Sequence, residues 1–498
     1  MFNDGRKTEK EIGETRIRIY GTERTVFIVE KTQYQYKETV KTQAYQYLRL
    51  LREFFNSYIF YVLETLLACA FVLFRQEVFG VIVFIGLLAV LLVVCEDVLP
   101  TTLPFLLVCT FSTNCYDSFD TFIGYAIYAP VVVVALIAHF VMYHKPYYFG
   151  ESMYGICAVS IAILLGGIGN FGFLDYVYGG YYMLGLGIGM VVAYYFMKSQ
   201  FSARREYDIR KRFAVIMTLM GMLCVAMIAI GRIREWFGFE FVVQGGRGFS
   251  PNNLATMLMF AMPFPLYLTK KSDWWAILTA TIYAGICFTS SRGGLIFGSI
   301  EFVVCCAYWI YITEKKTQRI LYCVFIAVAL LLSIGGTIID VIFDRFVDES
   351  MMGSDRWVML LESIDRFKAN PLFGSGILDD TLNYSAYKKK GTMSWYHMMI
   401  PQIIGSMGLV GVVAYAYQGF ARFKMIFIKM SSWSLVLGIS YLGILMMSQV
   451  NPGEFCPLPF ELLTVLLFIL QELRLEQDIL PLGRQSYQKQ KSGYAPLI

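Results

Sequence analysis

The feature that most constrains this chain is a recurring pattern of apolar runs, each about 17 to 25 residues long. At a helical rise of about 1.5 Å per residue, such a run can cross a hydrocarbon core of roughly 30 Å. Composition agrees, because 57% of the 498 residues are hydrophobic and only 16% are charged. A water-soluble fold has too little interior to bury so much apolar surface. The sequence therefore predicts an all-α polytopic membrane protein with about twelve to fourteen transmembrane helices.

The positions of the runs divide the chain into regions. The runs lie near residues 56–74, 79–95, 98–113, 121–143, 153–174, 178–197, 213–231, 251–268, 273–289, 292–312 and 319–339, and then near 397–420, 431–449 and 455–471. We predict five regions: a cytoplasmic extension (1–55), transmembrane helices (56–339), an extracytoplasmic loop (340–396), C-terminal transmembrane helices (397–471) and a cytoplasmic tail (472–498). Within the extension, the alternation from Thr15 to Val29 is typical of a short hairpin.

Basic residues indicate the orientation, since lysine and arginine concentrate in short cytoplasmic loops. With the N terminus in the cytoplasm, the segments after even-numbered runs should be basic. The residues found there are Lys145, six basic residues from Lys198 to Arg212, Lys270, Lys271, Lys315, Lys316, Arg319, Arg422, Lys424 and Lys429. This pattern predicts that both termini are cytoplasmic.

The opposite face also carries basic residues, against the usual preference. They are Arg232, Arg234, Arg247, Arg292, Arg345, Arg356 and Lys388 to Lys390. Guanidinium groups bind phosphate oxygens bidentately, so one interpretation is a ligand that carries phosphate. The alternative is pairing with acidic residues of the same segments, namely Asp340, Asp344, Asp348, Glu349, Asp355 and Asp365. A nucleic-acid partner is not predicted, because the net charge is only +5 and the basic residues are dispersed.

Two residues of this face stand out as candidates for chemistry. Arg292 lies between two apolar runs in a segment of small residues, where a charge is costly unless it faces the bundle interior or water. His397 is one of three histidines and closes the long loop on the same face as the arginines. An imidazole there can act as a general base at neutral pH. The histidines are too far apart for a known metal motif, so we predict no metal site and no cofactor.

The long loop itself contains a predicted helix. Ser354 is a candidate N-cap and Asn370-Pro371 a stop signal. Between them, one apolar face is predicted from Trp357, Leu360, Leu361, Ile364 and Phe367. Gly374 and Gly376 then permit an unusual backbone path.

Together these segments resemble the O-antigen ligase and polymerase (Wzy_C-type) superfamily of bacterial membrane glycosyltransferases. Ser291-Arg292-Gly293 resembles the S-R-G segment of the family, and the stretch from Arg247 to Pro251-Asn252-Asn253 resembles its arginine-then-P-N pattern. Arg356 and the segment from Asn370 to Gly376 resemble the family's loop helix and its exit. His397, with Gly408 and Gly411 after it, is similar to the family histidine. Two departures are Met398, where the family often has asparagine, and a short gap between Arg247 and the P-N pair.

The resemblance implies a GT-C-like helical fold in a bacterial cytoplasmic (inner) membrane. It implies a donor glycan on undecaprenyl diphosphate, a glycan acceptor and metal-independent transfer with inversion at the outer face. His397 would be the base, and Arg292, with Arg247 and Arg356, would hold the diphosphate. Ser291, Gly293, Asn252, Gly374 and Gly376 would support them.

The resemblance leaves several readings open. Polymerisation of repeat units, with a chain-length regulator as a further partner, is our first choice. The alternative is ligation of finished glycan to lipid A-core. A lipid-linked glycan flippase would also use many spans and a basic cavity, although no internal repeat relates the two halves. A purely structural scaffold would leave the outer arginines unexplained.

Overall fold

A computed structural model of the protein describes most of the chain from residue 46 onward. The described residues are 46–114, 125–144, 149–168, 183–201, 208–236, 251–289, 291–346, 355–376, 396, 398–428, 430–451, 453–455 and 457–479. The chain divides into two units, Met1–Ser57 and Tyr58–Ile498. The hairpin predicted between Thr15 and Val29 lies outside the described residues.

Every regular element in the described ranges is helical, as predicted. The helices are α1 (Gln46–Phe55), α2 (Tyr58–Leu73), α3 (Glu77–Val94), α4 (Leu99–Asn114), α5 (Ala129–Tyr143), α6 (Glu151–Ile168), α7 (Met190–Phe201), α8 (Ile209–Trp236), α9 (Pro251–Ala261), α10 (Phe264–Leu268), α11 (Trp275–Phe288), α12 (Arg292–Tyr311), α13 (Lys316–Phe346), α14 (Asp355–Ala369), α15 (Met399–Phe427), α16 (Ser432–Met447) and α17 (Leu462–Ile479). Short helical turns cover Tyr125–Tyr128, Met183–Gly189, Gly453–Phe455 and Pro457–Glu461.

The apolar runs coincide with these helices, but fewer are long enough to be spans by length and composition. Within the described part of the chain, the helices that meet both conditions are Glu77–Val94, Ile209–Ile233, Arg292–Tyr311 and Met399–Phe427. This count of 4 becomes 5 if Gln46–Phe55 and Tyr58–Leu73 form one broken span, and five further helices are apolar but shorter. The described helices thus establish a membrane protein, while twelve to fourteen spans remain a prediction.

One predicted span is broken. The apolar run 251–268 forms two helices, α9 and α10, because proline at positions 263 and 265 cannot continue the hydrogen-bond ladder of α9. Pro251 occupies the first turn of α9, where its missing N–H costs nothing. From Leu254 to Ala261 every residue of α9 is buried, and α9 packs against α8, α11, α12 and α16. This short helix is therefore enclosed by protein.

Helix α15 carries the second irregularity and organises the C-terminal helices. It packs along α6 through a cluster that includes Ile163, Met407 and Phe455. At Gly408 the backbone leaves helical geometry with φ 60° and ψ −149°, a conformation that glycine adopts at little cost. The helix α14 packs against α15 near this break.

Two sequence interpretations need correction here. Arg422 was counted as a basic loop residue, but α15 continues to Phe427 and buries Arg422 within the bundle. The loop helix is present as α14, yet its buried face differs in part from the predicted one. Trp357 and Leu361 are 46% and 47% exposed, whereas Met359 and Ser363 are buried. Leu360, Ile364 and Phe367 of the predicted face are half-buried, so the docked face overlaps the predicted one and is shifted toward Met359 and Ser363.

Candidate functional site

The structure places most of the predicted site residues at the starts of helices. Arg292 is the first residue of α12 and is half-buried, and Asn252 is in the first turn of α9. Arg247 and His397 lie outside the described residues. Arg356 belongs to α14, but its side chain is outside the described part. The predicted roles of these three residues therefore remain predictions.

Ser291 joins the starts of α9 and α12. Its backbone is extended, and its hydroxyl oxygen accepts a hydrogen bond from the Gly294 N–H at 3.1 Å, as expected of an N-cap. The same hydroxyl donates to Oδ1 of Asn252 at 2.7 Å. Ser291 is only 3% exposed, so both bonds are made in a buried setting where an unpaired hydroxyl would be costly. The S-R-G and P-N segments are thus directly hydrogen-bonded to each other.

The glycines after Arg292 allow close helix packing. A Cβ atom at Gly293 would lie 2.4 Å from Cγ2 of Val450, and one at Gly294 would lie 2.6 Å from Cβ of Ala255. Both contacts are too short for an alanine without a shift of the neighbour. The small residues therefore bring the start of α12 against α9 and against the segment after α16.

That segment, residues 448–455, is the element that sequence reasoning missed; we call it the 448–455 turn. Asn451 is buried, and its Nδ2 lies 3.4 Å from Oδ1 of Asn253 and 3.3 Å from Oγ1 of Thr256. The carbonyl oxygen of Ser448 accepts from the Met399 N–H at 2.7 Å. The Asn451-Pro452-Gly453 sequence signals a turn, but nothing local reveals its partners. In the structure this turn contacts the starts of α9, α12 and α15.

A buried ionic cluster lies next to the same turn. The guanidinium of Arg422 donates to Glu454, to Oε1 of Glu461 at 2.8 Å and to the Tyr441 hydroxyl at 3.3 Å. The Glu454 N–H donates to Oγ of Ser448 at 3.0 Å. One arginine and two carboxylates, all nearly inaccessible to solvent, therefore anchor the 448–455 turn to α15.

The segment after α14 forms hydrogen bonds with the backbone at the break in α15. Four backbone hydrogen bonds join them: Ser375 to Gly405, Gly376 to Ser406, Leu409 to Pro371 and Val410 to Leu372, at 2.8 to 3.1 Å. Gly374 has φ +70°, and a Cβ there would lie 2.4 Å from the backbone of Ser406. Broken helices are tolerated in membranes where other protein groups satisfy the freed backbone. The glycine-rich segment thus has a structural reason for its glycines.

The residues flanking His397 are held by the same elements. The Tyr396 N–H donates to Oε1 of Gln402 at 3.1 Å, and the buried Tyr396 clusters with Met359 of α14. On the other side, Met399 bonds to Ser448 as described above. The backbone before and after position 397 is therefore fixed to α14, α15 and the 448–455 turn.

The starts of three of the described helices lie together in this region. Helices α9, α12 and α15 start beside the 448–455 turn, and helix N-termini favour anions. Arg232 also approaches, since its Nη2 donates to the Phe288 carbonyl oxygen at 3.4 Å, four residues before Arg292. No group of three metal-ligating side chains occurs among the residues that the structure describes.

These helices form a helical membrane protein whose polar site brings together the starts of α9, α12 and α15. Residues 276–416 match the family model described as O-Antigen ligase (Wzy_C). The match covers α11 to most of α15, confirms the resemblance drawn from the sequence and supports the O-antigen ligase and polymerase superfamily. The family implies a glycosyltransferase-like enzyme that uses a lipid-linked glycan and an acceptor. No curated protein and no solved structure matches the chain.

Proposed function

We propose that this protein transfers a glycan from undecaprenyl diphosphate to an acceptor sugar hydroxyl at the outer face of a bacterial cytoplasmic membrane. The observation that carries the proposal is the joining of the S-R-G start of α12, the P-N start of α9 and the backbone beside His397 around one turn. These three segments are distant in sequence, and their convergence is what a shared substrate site requires.

In the proposed reaction, His397 accepts the proton of the acceptor hydroxyl as its oxygen attacks the anomeric carbon of the donor. The bond between that carbon and the diphosphate oxygen breaks, and undecaprenyl diphosphate leaves with the electron pair. Attack from the face opposite the leaving group inverts the anomeric carbon. The bond energy of the donor drives the step, so neither a nucleotide nor a metal ion is required in the proposal.

The arginines stabilise the charge of the leaving diphosphate. Arg292 is the best supported, since it starts α12 beside the Ser291–Asn252 bond. Guanidinium groups suit this role because their planar donors match phosphate oxygens. Arg247 and Arg356 take the same role by resemblance. Ser291, Asn252 and Gly293 position the start of α12, and Gly374 and Gly376 position the loop helix α14.

The first choice of acceptor is the terminal sugar of another lipid-linked repeat unit, which makes the protein a surface polysaccharide polymerase whose further partner is a chain-length regulator. Ligation to lipid A-core is the alternative, and export of a lipid-linked glycan is the third reading. In the polymerase reading both termini are cytoplasmic and the tail of the donor stays in the bilayer.

The test is glycan transfer in proteoliposomes that contain the purified protein and an undecaprenyl-diphosphate oligosaccharide. The proposal expects products of two or more repeat units, formed equally well in EDTA. Adding lipid A-core separates the two transferases, because a ligase would give a single addition to that acceptor. Movement of the lipid-linked glycan across the bilayer without any new glycosidic bond would contradict the glycosyltransferase proposal and support a transporter.

A further inference from the structure

A cavity of about 700 Å³ lies between α11 and α13, next to the C-terminal part of α12. This volume falls within the range of roughly 300 to 1,000 Å³ that is usual for small-molecule sites. Its lining residues on α11 run from Ala276 to Ala284, about 12 Å along the helix at 1.5 Å per residue. Position 292, where α12 starts, is not among the lining residues. The cavity is therefore separate from the site described above.

The cavity has one polar end and one apolar end. Ser272, Asp273 and Trp309 line it near the polar segments 269–274 and 312–315, while Ala284 and Leu330 line it deeper along the helices. In the orientation predicted from the basic residues, the polar end is at the cytoplasmic boundary of the membrane. A lipid has the same division, with a polar headgroup at the boundary and apolar tails below it.

Trp309 lines the polar end of the cavity, and Arg319 packs against it. The two side chains are in contact, since the Arg319 guanidinium lies 5.2 Å from the Trp309 ring. Arg319 is held in place by Nη1 to the Trp309 carbonyl oxygen at 2.6 Å and by Nη2 to Oδ1 of Asp273 at 2.8 Å. Arg319 thus fixes the Trp309 ring, which lines the polar end of the cavity.

The charge around the polar end indicates the sign of a ligand that would bind there. Four lysines are exposed there, Lys270, Lys271, Lys315 and Lys316, and the carboxylate of Asp273 already pairs with Arg319. Glu314 is the other acidic residue of these segments. Basic clusters at the cytoplasmic boundary attract anionic lipid headgroups. The excess of positive charge therefore favours an anionic ligand over a zwitterionic one.

We propose that this cavity binds an anionic glycerophospholipid of the cytoplasmic leaflet. One acyl chain occupies the groove between α11 and α13, and the headgroup lies at the polar end beside Ser272 and Trp309. The exposed lysines select the negative headgroup. The site is independent of the transfer reaction and depends only on the fold and on the predicted orientation.

The test is native mass spectrometry of delipidated, detergent-purified protein titrated with phosphatidylglycerol or with phosphatidylcholine of identical chains. Wild-type protein is expected to prefer phosphatidylglycerol. In Lys315→Gln/Lys316→Gln that lipid should bind more weakly by roughly fivefold per lysine, while phosphatidylcholine is unaffected. Lys424→Gln, which alters an exposed cation on α15, a helix with no residue lining the cavity, is the control and should keep the preference.

Two further variants test lipid binding at the polar end and in the groove separately. Trp309→Ala removes the ring that lines the polar end, so it should weaken both lipids equally by several-fold. Thr281→Phe fills the groove and should abolish retention of both. Equal binding of the two lipids by wild-type protein would overturn the proposal, as would an unchanged preference in the lysine variant. Displacement of phosphatidylglycerol by equimolar polyprenyl phosphate would also overturn it, because the cavity would then belong to the carrier lipid.

Discussion

Two buried polar clusters hold the 448–455 turn, and they differ in kind. Beside α15, Arg422 is surrounded by the carboxylates of Glu454 and Glu461, so the cluster is ionic and its charges are matched within the fold. At the starts of α9 and α12, the joining groups are the hydroxyl of Ser291 and the amides of Asn252 and Asn451, which are neutral. The charge of Arg422 is therefore matched inside the protein. The groups that join α9 to α12 and to the 448–455 turn are uncharged, so hydrogen bonds hold this junction.

The largest expected effect comes from breaking the ionic cluster. Arg422→Met removes the cation and leaves Glu454 and Glu461 buried together, which should destabilise the protein by about 3–5 kcal/mol. The matched control is Lys424→Met in the same helix, whose partly exposed pair with Glu151 should contribute only about 0–1 kcal/mol. Thermal unfolding in detergent measures both variants. Equal midpoints for Arg422→Met and wild type would show that the cluster does not anchor the turn.

An intermediate effect is expected where α12 touches the 448–455 turn. Gly293→Ala places a methyl group 2.4 Å from Val450 and should cost about 1–3 kcal/mol through overpacking. Because the shift moves the start of α12, glycan transfer should fall as well. Gly419→Ala is the control, since a Cβ there meets open space in α15 and should stabilise by about 0.5–1 kcal/mol. A Gly293→Ala protein with wild-type stability and activity would exclude the close contact.

The smallest expected effect on stability distinguishes two helix caps. Ser291→Ala and Ser431→Ala each remove an N-cap hydroxyl, of α12 and of α16, and each should cost about 1 kcal/mol. Only Ser291 also bonds to Asn252, so only Ser291→Ala should lower glycan transfer. Equal activity losses in the two variants would mean that the Ser291–Asn252 bond has no special role in the site.

Local sequence patterns predicted the helices well because hydrophobic length and capping signals are local properties. The loop helix α14 ends where Asn370-Pro371 predicted. The S-R-G and P-N segments are in contact, but the Ser291–Asn252 bond that joins them cannot be read from their spacing in the sequence.

The differences between prediction and structure have one physical cause. Each depends on contacts between residues that are distant in the sequence. Arg422 looked like a loop residue because its two carboxylate partners lie 32 and 39 residues further along the chain. The docked face of α14 differs in part from the predicted one because Met359 packs against Tyr396, a residue outside the helix. Asn451 was missed because a turn signal does not identify what the turn will contact.

The most direct test of the central claim is glycan transfer in proteoliposomes by Arg292→Ala and His397→Ala, with thermal unfolding measured on the same preparations. Arg292→Ala removes hydrogen-bond donors to the leaving diphosphate and should reduce the transfer rate by roughly 100- to 1,000-fold. His397→Ala removes the general base and should reduce the rate by roughly 100-fold or more. The unfolding midpoints of both variants should stay close to that of wild type. Lys424→Gln is the control and should keep wild-type activity and stability. Full transfer by either variant would contradict the assigned role of that residue, and a rate loss accompanied by unfolding would assign Arg292 to the fold instead of the chemistry.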